Sequence, residues 1–182
     1  MNRPPEIIIN NGYPTDENGV LTEMVIPPHV KSLNAAPTVI TTYATEIKWL
    51  PNTTSTLVSL NAPEVISFSG APQKFLGSIN VTNINFPKLT TLSSILFFEN
   101  SRISTIRLPR VRSVSTETFT RCMGLTSVAI GSAGYGVTSI SSNAFNGCTQ
   151  SGLTITVYTQ GGASLSGEPW GATNATIEYE EA

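Results

Sequence analysis

Few side chains in this 182-residue chain carry groups that react near neutral pH. His29, in the stretch Pro27-Pro28-His29-Val30, is the one histidine, and Cys122 and Cys148 are the two thiols. A hydrolytic triad needs a base beside its nucleophile, and a zinc site needs three or four clustered ligands. An imidazole standing alone beside two prolines reads as a turn residue. The cysteines lie 26 residues apart with no Cys-x-x-Cys or Cys-His spacing, so no catalytic residue, metal ligand or cofactor is expected. Carboxylates are scattered, apart from Glu178, Glu180 and Glu181, which read as a solvated tail; no acid pair of the kind that cleaves glycosidic bonds is signalled.

Three other stretches invite a chemical reading. Gly131-Ser132-Ala133-Gly134-Tyr135-Gly136 is glycine-rich like a phosphate-cradling loop, but it lacks the Gly-Lys-Ser/Thr that gives such a loop its chemistry. It reads instead as a turn. Trp170 in Glu168-Pro169-Trp170-Gly171 would stack on a sugar ring if exposed, and its place beside the last strand favours a capping role. The sequons at Asn52, Asn80 and Asn174 matter only in a glycosylating host.

Composition turns attention from reaction to architecture. Charged residues make up 12% of the chain and the formal charge is −2, which excludes the basic footprint of a nucleic-acid binder. No run of about 18 apolar residues occurs and the first residues form no signal peptide, so neither membrane insertion nor a leader is expected in this chain. With 24 Thr and 20 Ser the polar surface is rich in hydroxyls. Threonine fits strands well, whereas exposed helices favour Lys and Glu.

The elements that hold these residues emerge when the chain is laid on itself. Phe97 falls on Phe119, Asn100 on Cys122 and Ile103 on Leu125; Val81, Ile103 and Leu125 recur every 22 residues. A period in the low twenties is that of leucine-rich repeats. Each unit carries an apolar trio: Val81, Ile84, Phe86; then Ile103, Ile106, Leu108; then Leu125, Val128, Ile130. The last two of each trio alternate as a strand does, sending Ile106 and Leu108 to one face and Thr105 and Arg107 to the other. Proline at 63, 87 and 109 follows, and because it has no N–H for a ladder each strand should turn there. A second apolar pair comes next, Leu89 with Leu92 and Val111 with Val114. The unit closes on Phe-x-x-Cys or a polar stand-in: Phe75 with Ser78, Phe97 with Asn100, Phe119 with Cys122, Phe145 with Cys148. A small inward side chain that bonds buried backbone suits such a corner, and the four phenylalanines should stack inside. The cysteines are therefore expected to be free, corner-filling thiols. The 26-residue gap between them places a four-residue insertion at residues 131–136.

The stretches Leu-Thr-Ser-Val-Ala-Ile (125–130), Val-Thr-Ser-Ile-Ser-Ser-Asn-Ala-Phe-Asn-Gly-Cys (137–148) and Leu-Thr-Ile-Thr-Val-Tyr (153–158) resemble the BspA-like leucine-rich repeats of bacteria. The likeness covers residues 57–179 and is strongest over 103–158. Departures are the Asn and Ser at two Cys positions and Thr-Glu-Thr-Phe where Ala-Phe is usual. The resemblance implies a surface-associated or secreted protein of the adhesion type; the missing leader leaves a cytoplasmic or particle-associated place open.

The expected fold is α/β: a right-handed leucine-rich-repeat solenoid with one curved parallel β-sheet and short turns or single-turn helical pieces on the convex side. A single domain is expected, with residues 1–56 as irregular N-terminal units and cap, 57–158 as regular repeats and 159–182 as the C-terminal cap. Leu21, Met24 and Ile26 mark one early unit and residues 40–50 a degenerate one. Outward neighbours of the buried positions are Ser59 and Asn61, Asn83 and Asn85, Thr105 and Arg107, Ser127 and Ala129, Thr154 and Thr156. Asn83, Asn85, Thr105 and Arg107 are the candidate ligand-binding residues at their centre, facing a protein or glycan in a monomeric, non-catalytic module. The rivals are a structural segment of an appendage or phage-like particle and a carbohydrate-active parallel β-helix, which would need acids clustered on one sheet.

Overall fold

The computed structural model describes residues 58–68, 81–92, 96, 97, 99, 100 and 102–182, together with the backbone of three earlier strands. Those strands are β1 (Glu23–Ile26), β2 (Val39–Thr42) and β3 (Glu46–Ile47). Then come β4 (Ser59–Asn61), β5 (Ser67–Phe68), β6 (Asn83–Asn85), β7 (Thr105–Leu108), β8 (Ser113–Val114) and β9 (Ser127–Ile130). The last are β10 (Ser139–Ile140), β11 (Thr154–Thr159) and β12 (Thr176–Glu181).

Every ladder between these strands is parallel, and each joins a strand to its counterpart in a neighbouring coil. Thr105 pairs with Ser127 at the 22-residue step, Ser127 with Thr154, and Thr154 with Thr176. The early units obey the same register, with Met24 opposite Ile40 and Ile40 opposite Leu60. The chain is thus a parallel β-solenoid. The expected single sheet is divided among the described residues into two four-stranded ladders, β1-β2-β4-β6 and β12-β11-β9-β7, while β3-β5 and β10-β8 form narrow two-stranded ladders after the turn.

Proline sets the turn between the two sides. Val65 N donates to Ala62 O, Leu89 N to Phe86 O and Val111 N to Leu108 O, three equivalent four-residue turns with Pro63, Pro87 and Pro109 at the second position. Proline's fixed φ suits that position, and its missing N–H leaves no ladder bond unmade. Alternation then buries Leu60 and Ala62, Ile106 and Leu108, Val128 and Ile130, and Ile155 and Val157. Their burial against adjacent coils supplies the core that no single coil could form.

The α/β label and the helical pieces are corrected by the structure. Among the described residues the one helical element is a three-residue 3₁₀ turn, Gln160–Gly162. The reason lies in where the backbone donors point. Phe97 N donates to Thr118 O, Glu99 N to Thr120 O, Phe119 N to Ala144 O and Arg121 N to Asn146 O. These N–H groups are spent on the next coil, so the bond to residue i−4 that defines an α-helix is not available to them. Left-handed φ at Glu99, Glu117 and Arg121 also breaks any helical run.

Candidate binding face

The strand sides that turn away from the core form three rows, in register within each ladder. One row holds Ser59 and Asn83 on one ladder, then Thr105, Ser127, Thr154 and Thr176 on the other. A second holds Asn61 and Asn85, then Arg107, Ala129, Thr156 and Glu178. A short third row pairs Tyr158 with Glu180. All four candidate residues are exposed: Asn83 and Asn85 on β6, Thr105 and Arg107 on β7. The ladders bring Asn83 and Asn85 together with Ser59 and Asn61, and Thr105 and Arg107 together with Ser127 and Ala129; no described bridge joins β6 to β7.

The amides on this surface are partly engaged with one another. Asn85 Nδ2 donates to Asn61 Oδ1 at 2.8 Å, and Asn83 Nδ2 donates to Thr82 Oγ1 at 3.1 Å. Each amide keeps further donor or acceptor capacity for a ligand. At the other end Thr156 Oγ1 donates to Glu178 Oε2 at 3.3 Å. Glu178 and Glu180 therefore belong to the outward rows of the sheet, where the sequence reading saw only a solvated tail. The signal was present: Ile177 and Tyr179 alternate with Thr176, Glu178 and Glu180, and extending the alternation three residues past Ile177 places both acids outward.

The corners are built from the Phe-x-x-Cys slots. Phe97, Phe119 and Phe145 form a continuous stack, with ring centroids 5.2 Å and 4.7 Å apart. Trp170 closes it, 6.5 Å from Phe145 and fully buried, with its indole N–H donating to Ser166 O. Burial settles Trp170 as a cap and leaves no ring face for a sugar. Cys122 Sγ donates to Phe97 O at 2.9 Å and Cys148 Sγ to Phe119 O at 3.1 Å. Both thiols are free and buried. Desolvation pushes both thiol pKa values up, which keeps them protonated donors rather than nucleophiles. The neighbouring Cys148 raises Cys122 further.

The insertion at 131–136 is an ordered hairpin. Gly131 has φ +82°, and a Cβ there would lie 2.7 Å from Tyr135 O, so only glycine fits. Tyr135 N donates to Ser132 O, while Ser132 Oγ reaches back to Pro109 O at 2.9 Å. The C-terminal coil is tied by Tyr179, whose hydroxyl donates to Glu168 Oε2 at 2.7 Å and accepts from Leu165 N. Burial first, then the Glu168 carboxylate, hold that phenol protonated beyond its usual range; the bond from Leu165 N opposes them. Asn174 is exposed. His29, Asn52, Phe75, Ser78 and Asn80 lie outside the described residues.

The described strands form a stack of parallel coils with hydroxyl, amide and a few charged groups on its outward rows. The chain matches the family model for the BspA type leucine rich repeat region, in six copies over residues 52–160, and it belongs to that family. No curated protein and no solved structure matches it. Membership suggests a binding or adhesion module in general terms; such solenoids are typically non-catalytic, and repeats of this type are commonly surface-associated in bacteria.

Proposed function

We propose that the chain is a non-catalytic recognition module that holds an extended protein or glycan against the outward face of its sheet, with Asn83, Asn85, Thr105 and Arg107 at the centre. One observation carries this reading: the outward rows present short, polar, mostly uncharged side chains in register, which lose little entropy on contact. Solenoids gain extended binding surfaces by repetition, and this one repeats hydroxyl and amide groups. In this reading the module works as a monomer displayed at a bacterial cell surface.

The test is an array of matrix proteins and glycans probed with the wild-type chain and an Asn85→Ala, Arg107→Ala double variant. A ligand retained by the wild type and lost by the folded variant supports the reading. Ligand capture that the double variant leaves untouched refutes it.

A further inference from the structure

Five of the ten basic residues, Arg102, Arg107, Arg110, Arg112 and Arg121, fall within twenty consecutive positions, with Glu117 the one acid among them. A chain of net charge −2 thus places a formal charge of +4 (five less one) in a single coil. Arg121 is engaged by Glu99 at 3.2 Å. Arg102, Arg107 and Arg112 are exposed and make no ion pair among the described residues. The acids of the same ladder sit three strands away on β12, about 14 Å from Arg107 at the usual strand spacing. That distance exceeds the Debye length at physiological salt, which is about 8 Å.

Arg110 is held in a way that leaves its donors available. It lies in the Pro109 turn, whose Val111 N donates to Leu108 O. Its guanidinium carbon lies 5.1 Å from the centroid of the Tyr135 ring. Tyr135 reaches that place because the 131–136 hairpin, the insertion in the repeat, folds back and is fastened through Ser132 Oγ to Pro109 O. A guanidinium with one face on an aromatic ring keeps its N–H edge for a pair of anionic oxygens and gives up little freedom on binding. Arg107 stands just before the turn, beside the small Ala129 of the next strand; Arg112 follows just after it.

We propose that this rim, Arg107, Arg110 with Tyr135, and Arg112, binds a glycan chain bearing carboxylate or sulfate groups. The proposal rests on the sheet-face reading and names its ligand class. A glycan fits better than an acidic polypeptide because the groups around the arginines are Thr105, Ser113, Thr138 and Ser139, all exposed. These match sugar hydroxyls, whereas protein interfaces depend on buried apolar anchors. The exposed large apolar residues among those described are Val58, Ile66, Met123 and Tyr135, and the first three lie on other coils or corners.

The full chain is titrated calorimetrically with a heparin-derived oligosaccharide, an oligogalacturonate of equal length, a neutral maltodextrin and poly-glutamate. Binding of either anionic glycan is expected, weakening as salt rises, with none to maltodextrin. Arg107→Ala with Arg110→Ala should weaken it more than about tenfold, since each loses hydrogen bonds to a charged group. Tyr135→Ala should weaken it about two- to fivefold while Tyr135→Phe retains it, as expected for a ring acting through its face. Lys88→Ala serves as the control, because Glu64 already neutralises Lys88 at 2.6 Å. Melting curves establish that each variant is folded. Preference for heparin over the uronate, or the reverse, identifies sulfate or carboxylate as the recognised group. The proposal is overturned if neither anionic glycan binds, if the double variant binds as the wild type does, or if poly-glutamate binds more tightly than both. An array ligand that depends on Asn85 but not on Arg110 or Tyr135 would sink this inference and leave the sheet-face reading standing.

Discussion

The corner that ends at Asn100 and the corners that end at Cys122 and Cys148 occupy the same slot of the repeat and solve it differently. At Asn100 the side-chain Oδ1 braces the turn of its own coil, accepting from Arg102 N at 2.9 Å and Ile103 N at 3.1 Å. The cysteines work between coils, each thiol donating to a phenylalanine carbonyl of the coil before it. The backbone around all three is the same: Asn100 N, Cys122 N and Cys148 N each donate to the carbonyl of the phenylalanine three residues earlier. The slot therefore demands a small buried polar group, and which backbone group that side chain satisfies is free to vary. An acceptor braces the turn, and a weak donor ties neighbours together.

The largest test of this comparison asks whether the phenylalanine stack or the corner polar group dominates. Phe119 lies between Phe97 and Phe145 with no exposure, so Phe119→Ala should cost about 3–5 kcal/mol by chemical denaturation. A loss well below that would give the corner to its polar groups. Next come the slots themselves. Asn100→Ala strands the buried N–H of Ile103 and should cost about 2–3 kcal/mol, whereas Cys122→Ala removes a weak donor and one sulfur and should cost about 1–2 kcal/mol. The reverse order would break the distinction between bracing and tying.

Alkaline pH separates the corners more gently. Because burial raises both thiol pKa values in the folded state, the native chain holds those protons more tightly than the unfolded chain. The stabilisation is complete below the unfolded thiol value of about 8.5 and declines as pH rises above it. Urea titrations across that range should show the decline, and the Cys122→Ala, Cys148→Ala double variant should flatten it. The smallest effect concerns the left-handed residue two positions after each phenylalanine. Glu99 and Arg121 hold φ of 60° and 55° where Gly147 holds 74°. Arg121→Gly should stabilise by about 0.5 kcal/mol, the relief of about 1 kcal/mol of backbone strain less the exposed pair with Glu99. Destabilisation in a melting experiment would show that the ion pair outweighs the backbone.

The period, the Pro turns, the phenylalanine stack and the inward corner residues were legible because each is a local pattern repeated at fixed spacing. Chemically equivalent positions recurring at one 22-residue step, as Val81, Ile103 and Leu125 do, leave little freedom in what they do together. The short convex segments were not, since Ser115-Thr116-Glu117-Thr118 carries no mark that the following N–H groups of Phe119 and Arg121 serve the next coil. Of the candidate face, Asn83, Asn85, Thr105 and Arg107 were placed outward by alternation alone. Glu178 and Glu180 escaped because charge near a chain end looks the same whether it lies on a strand or in solvent. The pairing of Arg110 with Tyr135 joins positions 25 residues apart across an insertion, and no periodic argument reaches across a break in the period.

The direction of the corner bonds has a mechanical consequence. The N–H groups of Phe97, Glu99, Phe119 and Arg121 are fastened to the coil that follows, and that of Phe145 is held by Trp170 O at 2.9 Å. Tension applied to the C-terminus parts the β12–β11 ladder first and then meets the Trp170 clasp. Once it yields, Phe145 and then Phe119 lose their acceptors in turn, as a zip opens tooth by tooth. Each coil of 22 residues would release about 75 Å of contour length, and the coil from Ser127 to Thr154, which carries the insertion, about 90 Å, so the step that differs reports where the insertion lies.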